Sequence, residues 1–296
     1  MIKGLIAHPG PLPEYLAGRT VRLDLLQPCI VGILNVTPDS FSDGGRFSTI
    51  TAALEQGRRM AEEGAALIDV GGESTRPGSS AVTEEEELNR VVPVIEALHR
   101  ELALPLSIDT TKSAVATAAV AAGVEFVNDI SGLTFDAAMA EVVADSGAGL
   151  IVMHTRGKPE AMQQNTHYSD IVEAVITALR KSIRCAESAG IPRDKIAIDP
   201  GIGFGKDVAG NLELLRRTAD LAALGLPVML GTSRKSFIGR ILAQNAPDRR
   251  LAGTLSTISL GFAGGARLFR VHDVAAAYQA VLMSQAICCK TKWSES

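Results

Sequence analysis

Residues 106–128 read LSIDTTKSAVATAAVAAGVEFVN. The apolar run Leu106–Ile108 ends on Asp109, a helix-like stretch covers 112–122, Gly123 follows it, and Phe126–Val127 run into Asn128. Strand, helix, glycine stop and strand make a βαβ unit, because buried parallel strands read as short apolar runs and a glycine closes a helix at its C-terminus. The pattern recurs along the chain. Including these two, eight runs end on a polar residue or glycine: Ile30–Leu34 into Asn35, Leu67–Ile68 into Asp69, Leu106–Ile108 into Asp109, Phe126–Val127 into Asn128, Leu150–Met153 into His154, Ile196–Ile198 into Asp199, Val228–Leu230 into Gly231, and Leu268–Phe269 into Arg270.

Helices are expected over 50–63, 83–102, 112–122, 136–145, 169–189, 211–224, 250–264 and 273–289. Gly64, Gly123, Gly147, Gly190 and Gly225 fall where C-caps belong. Thr83 with Glu86 has capping-box spacing, and the acidic residues 84–87 read as a complement to the helix dipole on a solvated face. Eight sequential units leave a closed barrel or an open doubly wound sheet. Even spacing and functional-looking strand ends along the whole chain favour an α/β (β/α)8 TIM barrel as a single domain over 1–296. Residues 1–28 form an N-terminal β extension, in which Thr20–Leu25 alternates as a short strand and is expected to pack as a hairpin at the barrel bottom.

The chain has 296 residues, 46% hydrophobic and 21% charged, with a net charge of −4. Its dispersed Lys and Arg lack the basic stripe of a nucleic-acid partner, and no run approaches the roughly 20 uncharged residues of a membrane span. A cytoplasmic location is expected. Aromatics are only 4%, so Val, Ile, Leu and Ala must fill the core, as barrel layers do. Cys29, Cys185, Cys288 and Cys289 have neither metal nor disulfide spacing.

In barrels of this kind the chemistry sits at the strand C-termini. Asp109, Asn128 and Asp199 place three acceptors there, and buried carboxylates need a partner such as a flat heterocycle with an N–H-rich edge. Gly231-Thr232-Ser233-Arg234-Lys235-Ser236 and Arg270-Val271-His272-Asp273 follow the seventh and eighth runs, where such barrels commonly hold phosphate. The loops at 35–45 and 71–79 mix glycines with hydroxyls and charge, as a closing or anion-holding loop would, although each is also ordinary turn chemistry.

Together these segments resemble the dihydropteroate synthase family of pterin-binding enzymes. The motifs are GILNVTPDSFSDGG at 32–45, DVGGESTRPG at 69–78, IDT at 108–110, NDI at 128–130, MH at 153–154, DPGIGFGK at 199–206, SRKS at 233–236 and RVHD at 270–273. Thr111 stands where Ser is frequent in the family. The resemblance implies condensation of 6-hydroxymethyl-7,8-dihydropterin diphosphate with 4-aminobenzoate, releasing pyrophosphate. It implies pterin contacts from Asp109, Asn128, Asp199 and Lys235, and diphosphate contacts from Arg270 and His272. Mg²⁺ would be ligated by Asn35 and phosphate oxygens, and Thr75 and Arg76 would lie on the second loop. Phe41, Pro77, Phe204 and Ser236 match the 4-aminobenzoate pocket, and Asp43 would stabilise a developing cation. Sulfonamides mimic 4-aminobenzoate, and the sequence leaves a sulfonamide target and a sulfonamide-insensitive variant both open; the absence of an insertion in the loops of Phe41 and Pro77 leans toward sensitivity. A homodimer through the last helices is a family expectation, although Leu255, Ile258, Leu260, Val281 and Leu282 equally suit barrel packing. Three other readings are a corrinoid methyltransferase barrel, which lacks its cobalamin loop here, a non-catalytic pterin binder, and a Schiff-base aldolase using Lys235, for which no acid–base partner is evident.

Overall fold

The structure, a computed structural model, describes residues 12–37, 45–76 and 78–289. A short antiparallel hairpin, β1 (Tyr15–Ala17) and β2 (Arg22–Asp24), precedes the repeats. Eight parallel strands follow: β3 (Cys29–Asn35), β4 (Leu67–Gly71), β5 (Leu106–Asp109), β6 (Phe126–Asp129), β7 (Gly149–Met153), β8 (Ile196–Asp199), β9 (Met229–Leu230) and β10 (Leu268–Val271). They pair in the order β8-β7-β6-β5-β4-β3-β10-β9, and a parallel bridge from Ile198 to Val228 closes the ring. The expected (β/α)8 barrel with its N-terminal β extension is therefore observed.

The extension seals one end. Leu16, Leu23 and Leu25 pack against Cys29, Val31, Leu67, Phe126, Ile151, Ala197, Met229 and Leu268 at the start of the barrel strands. Phe126 fills this floor closely enough that a Cβ on Gly149 would lie 2.3 Å from its ring, so only glycine fits there. The helices wrap the outside and bury a larger aliphatic shell against the strands.

Register then sets the height of each polar group. Asn35 pairs with Gly71, Gly71 with Asp109, and Asp109 with Asn128, which makes one level at the C-terminal mouth. Because strand side chains alternate, the inward level below holds Ile33, Asp69, Ser107 and Phe126. The barrel grades from an apolar floor to a charged rim.

The helices are α1 (Gly45–Glu62), α2 (Glu84–Glu101), α3 (Ser113–Ala122), α4 (Met139–Ser146), α5 (Ile171–Ser188), α6 (Val208–Arg216), α7 (Thr218–Ala222), α8 (Ser236–Leu242), α9 (Leu251–Ala263) and α10 (Val274–Cys288). All five expected cap glycines have positive φ. The stretch expected as one helix over 211–224 breaks at Arg217, where buried Thr218 turns back onto the Leu214 and Leu215 carbonyls and packs beside Gly264. The additional α8 is a short helix that stops at Ala243 in the left-handed region. Thr83 caps α2 as read, its hydroxyl accepting from the Glu86 N–H at 3.2 Å. The acidic run is not wholly a solvated face, however. Glu87 is buried and paired with Lys112, and its Oε1 has no partner. Among the described residues, no helix is long and apolar enough to cross a membrane.

Candidate active site

Three carboxylates and three cations meet at the mouth. Arg270, from the end of β10, donates from Nε to Asp69 Oδ2 at 2.6 Å and from Nη2 to Asp109 Oδ2 at 2.7 Å. Asp69 also accepts from Ser107 Oγ at 2.6 Å and from Asn128 Nδ2 at 3.0 Å. Both its oxygens are thus engaged within the protein. By contrast, Asp109 Oδ1 and Asn128 Oδ1 are buried without any hydrogen-bond partner among the described residues. Burial pushes Asp109 up to about 7, against the pull of Arg270 and with the help of Asp69, Glu87 and Asp129. Two buried acceptors without donors are costly unless a ligand supplies N–H groups.

Asp199, at the end of β8, accepts at Oδ1 from the Gly201 N–H at 2.6 Å, while a Cβ on Gly231 would lie 3.7 Å from Oδ2. Burial raises it to about 6 despite that N–H and the cations Lys235, Lys206 and Arg270. Lys235 caps α8 and holds its ammonium 4.0 Å from the Phe204 ring centroid, a cation–π contact. Burial lowers it to about 8, with Asp199 opposing the shift. Asp199, Phe204 and Lys235 therefore form one cluster. Lys206 is buried beside them, next to His154, and burial lowers it to about 7.

Between β9 and β10 the ends are laced together. Ser233 Oγ accepts from the His272 N–H at 3.2 Å and lies 2.9 Å from His272 Nδ1, to which its own proton is free to donate. Burial lowers His272 to about 4, and Arg270 adds to the effect, so the imidazole is neutral at pH 7. Arg234 grips Asp273 through Nε at 2.9 Å and through Nη2. Ser236 opens α8. Arg270, expected on the diphosphate, is committed through Nε and Nη2 to the two aspartates, which ties the expected anion and heterocycle subsites into one network.

Thr75 is half-buried and Arg76 exposed on the loop after β4, which touches the loop after β7 through Gly78 N–H to Pro159 O at 3.0 Å. Lys112 links Glu73 at the root of that loop to Glu87 on α2. Phe41, Asp43 and Pro77 lie outside the described residues.

Among the described residues, no cluster of three or more His, Cys, Asp or Glu side chains is arranged to hold a metal. Asn35 Oδ1 sits at the rim, 3.9 Å from where a Cβ on Gly71 would stand, on the same strand level as Asp109. A single hard oxygen beside an open glycine fits Mg²⁺ that keeps waters and arrives with a diphosphate, rather than a resident ion in an all-protein cage.

The sequence pattern alone does not mark Asp69, Ser107 and Lys206 as site residues. Asp69 ended an apolar run as Asp109 did, and that was the available signal; its partners became visible only once strand register was known. Lys206 stands at the end of the DPGIGFGK motif, where the resemblance implies no role for it.

The pterin binding enzyme family model matches residues 31–272. The chain is 44% identical over 279 residues to the dihydropteroate synthase of Synechocystis sp., covering 94% of this chain and 96% of that protein. It is 45% identical over 245 residues to that of Bacillus subtilis, covering 83% of each. Among solved structures, Xanthomonas albilineans dihydropteroate synthase with 4-aminobenzoic acid superposes with a TM-score of 0.88 at 46% identity, covering 94% of this chain and 99% of the other. The Yersinia pestis enzyme in a sulfonamide complex gives a TM-score of 0.87 at 41% identity, covering 92% and 98%. With its strand ends, its unpartnered acceptors and these relatives in agreement, the chain belongs to the dihydropteroate synthases of the pterin-binding enzyme family.

Proposed function

We propose that the barrel mouth joins 6-hydroxymethyl-7,8-dihydropterin diphosphate to 4-aminobenzoate, giving 7,8-dihydropteroate and pyrophosphate. The observation that carries this reading is the pair of buried, unpartnered acceptors Asp109 Oδ1 and Asn128 Oδ1, with Asp199 across the mouth. A pterin's amino and ring N–H groups would satisfy them, and the Lys235 ammonium would donate to the ring's acceptor atoms.

In the reaction the bond from the pterin methylene to oxygen breaks with its electron pair leaving on pyrophosphate. The lone pair of the aromatic amine then forms the new carbon–nitrogen bond, and the amine proton passes to water or to the released pyrophosphate. Arg270, through Nη1, which has no partner among the described residues, and the His272 imidazole would stabilise the charge that builds on the leaving group, as preorganised donors do. Asn35 would hold Mg²⁺ on the diphosphate, and that ion would supply Lewis-acid stabilisation of the leaving oxygens. Phe204 and Ser236 would line the side from which 4-aminobenzoate enters, with Ser236 offering its hydroxyl to the carboxylate. Thr75 and Arg76 would close over the diphosphate end, and a sulfonamide would compete for the amine's place.

A homodimer is part of the same proposal. Leu260 on α9 and Met283 and Ile287 on α10 are exposed, whereas Ile258 and Val281 are buried in barrel packing, so an apolar outer face remains on these neighbouring helices.

The test is to incubate the chain with both substrates and Mg²⁺, following dihydropteroate and pyrophosphate together while titrating a sulfonamide. Equimolar formation of both products, suppressed by the sulfonamide, is expected. Pterin binding with no pyrophosphate release would instead identify a non-catalytic binder.

A further inference from the structure

The segment from Pro200 to Gly205 has no regular secondary structure, yet it carries three of the site's features. Gly201 gives its N–H to Asp199, Phe204 offers its ring to Lys235, and a Cβ on Gly203 would stand 3.0 Å from Lys235 Cδ. Gly201, Gly203 and Gly205 have φ of +68°, +85° and +61°, so the backbone follows a path that other residues adopt only with strain. A Cβ on Gly201 would come within 1.9 Å of the His154 carbonyl oxygen, which shows how tightly the segment lies against the end of β7. Ladder hydrogen bonds do not hold such a path in place.

Lys206 does much of that work. Its buried ammonium donates to Gly201 O and Phe204 O, each at 2.8 Å, and it lies 3.3 Å from His154 O and 3.0 Å from His154 Nδ1. Among the described residues no carboxylate hydrogen-bonds to it, and its partners are loop carbonyls and one imidazole. From outside, Gln163 Nε2 donates to Gly203 O at 2.8 Å, Tyr168 Oη donates to Gly205 O at 3.0 Å, and Asn211 Oδ1 accepts from the Gly203 N–H at 2.6 Å. The segment is a ring of backbone groups closed around one cation.

We infer that Lys206 is a positioning residue for pterin recognition, pinning this segment so that Gly201 and Phe204 present Asp199 and Lys235 to the ligand. The inference rests on the reading of Asp199 as a pterin acceptor, but it makes a claim about the protein without ligand. The charged groups facing Asp199 are Lys235, Lys206 and Arg270, and those facing Lys206 are Asp199 and Lys235. Burial drives His154 down to about 3, so it faces Lys206 as a neutral acceptor. Removing the Lys206 cation takes away one charge that favours ionised Asp199 and loosens the Gly201 N–H that also favours it. Loss of the charge alone would also move Asp199's titration, whereas only loss of the pin would free the Gly201 N–H from Asp199, so exchange protection of that amide is the reading specific to positioning.

The experiment follows the Asp199 ¹³Cγ resonance with pH in the full, ligand-free chain, comparing wild type with Lys206→Met. An upward shift of roughly one pH unit is expected, from the loss of a nearby charge and a hydrogen bond. Pterin affinity measured by calorimetry should fall by about tenfold, equivalent to one strong hydrogen bond. Wild-type exchange protection of the Gly201 N–H in a folded variant would overturn the inference even where Asp199's titration moves, whatever happens to activity. Should Lys206→Met fail to fold, the wild-type ¹⁵N resonance of Lys206 Nζ decides: slowly exchanging, protected protons support the pin, and solvent-like exchange contradicts it. If the wild-type chain binds no pterin, the functional reading fails separately, and the Gly201 amide protection still judges the pin.

Discussion

Asp69 and Asp109 stand on adjacent strands and share one guanidinium, yet they have opposite relations to the barrel mouth. Asp69 lies on the lower level beside Ser107 and accepts from Ser107, Asn128 and Arg270. Asp109 lies on the rim level beside Asn128 and accepts from Arg270 alone, with Oδ1 bare. The same side chain thus serves as the anchor of a closed network in one place and as an open ligand contact in the other. What separates them is a step of one inward level along the strand, not their chemistry. Arg270 then acts as a hinge of charge between structure and recognition, because the ion that steadies Asp69 also orients Asp109.

Removing the anchor should have the largest effect. Asp69→Ala leaves Arg270 with one buried partner and strips Asn128 and Ser107 of theirs, so denaturant unfolding should show a loss of about 3–5 kcal/mol, as for breaking a buried pair. Replacing an open acceptor should instead spare the fold and harm binding. For Asp199→Ala, calorimetry should find pterin affinity reduced by roughly 100-fold, the scale of lost charge-assisted bonds, while the fold tolerates the change because it removes a strained buried charge. Wild-type pterin affinity in that variant would remove Asp199 from the recognition edge.

A smaller effect should come from pH. Burial raises Asp199 from 3.8 to about 6, so in the ligand-free fold its contribution to stability is fully present below 3.8 and is lost as pH rises through about 6. Pterin N–H groups favour the ionised form, so affinity should rise across the same interval and level off above it. Calorimetry in buffers of different ionisation enthalpy should show proton release on binding near pH 6, and its absence would show that Asp199 is already ionised in the free protein.

The contrast between the two aspartates also shows how far the sequence could be read. Apolar runs ending in polar residues located the rim, since parallel strands buried on both faces leave little ambiguity about where they stop. Asp109, Asn128, Asp199 and Lys235 meet there as expected. What a local pattern could not convey was lateral register. Asp69 and Arg270 are 201 positions apart, and their bond depends on how eight strands slide against one another. Glu87 illustrates the same limit, since its place in an acidic first turn suited a solvated face while Lys112, from the next unit, drew it into the protein. Lys206 is a third case, because its partners are carbonyls, which every residue has and no motif distinguishes. The break at Arg217 is not legible in the sequence because the apolar periodicity of 211–224 continues through it, and Thr218 turns inward for reasons of packing.

Asp109 Oδ1 and its neighbour Asn128 Oδ1 are acceptors built for an N–H-rich ligand, and Asp109→Asn tests this most directly. Arg270 would hold the new amide oxygen and turn the NH₂ toward the ligand, setting donor against donor where an acceptor stood. Calorimetry with a pterin should then show affinity falling by about 100-fold, while denaturant unfolding shows a smaller loss than Asp69→Ala. Unchanged pterin affinity in a folded Asp109→Asn protein would contradict the account.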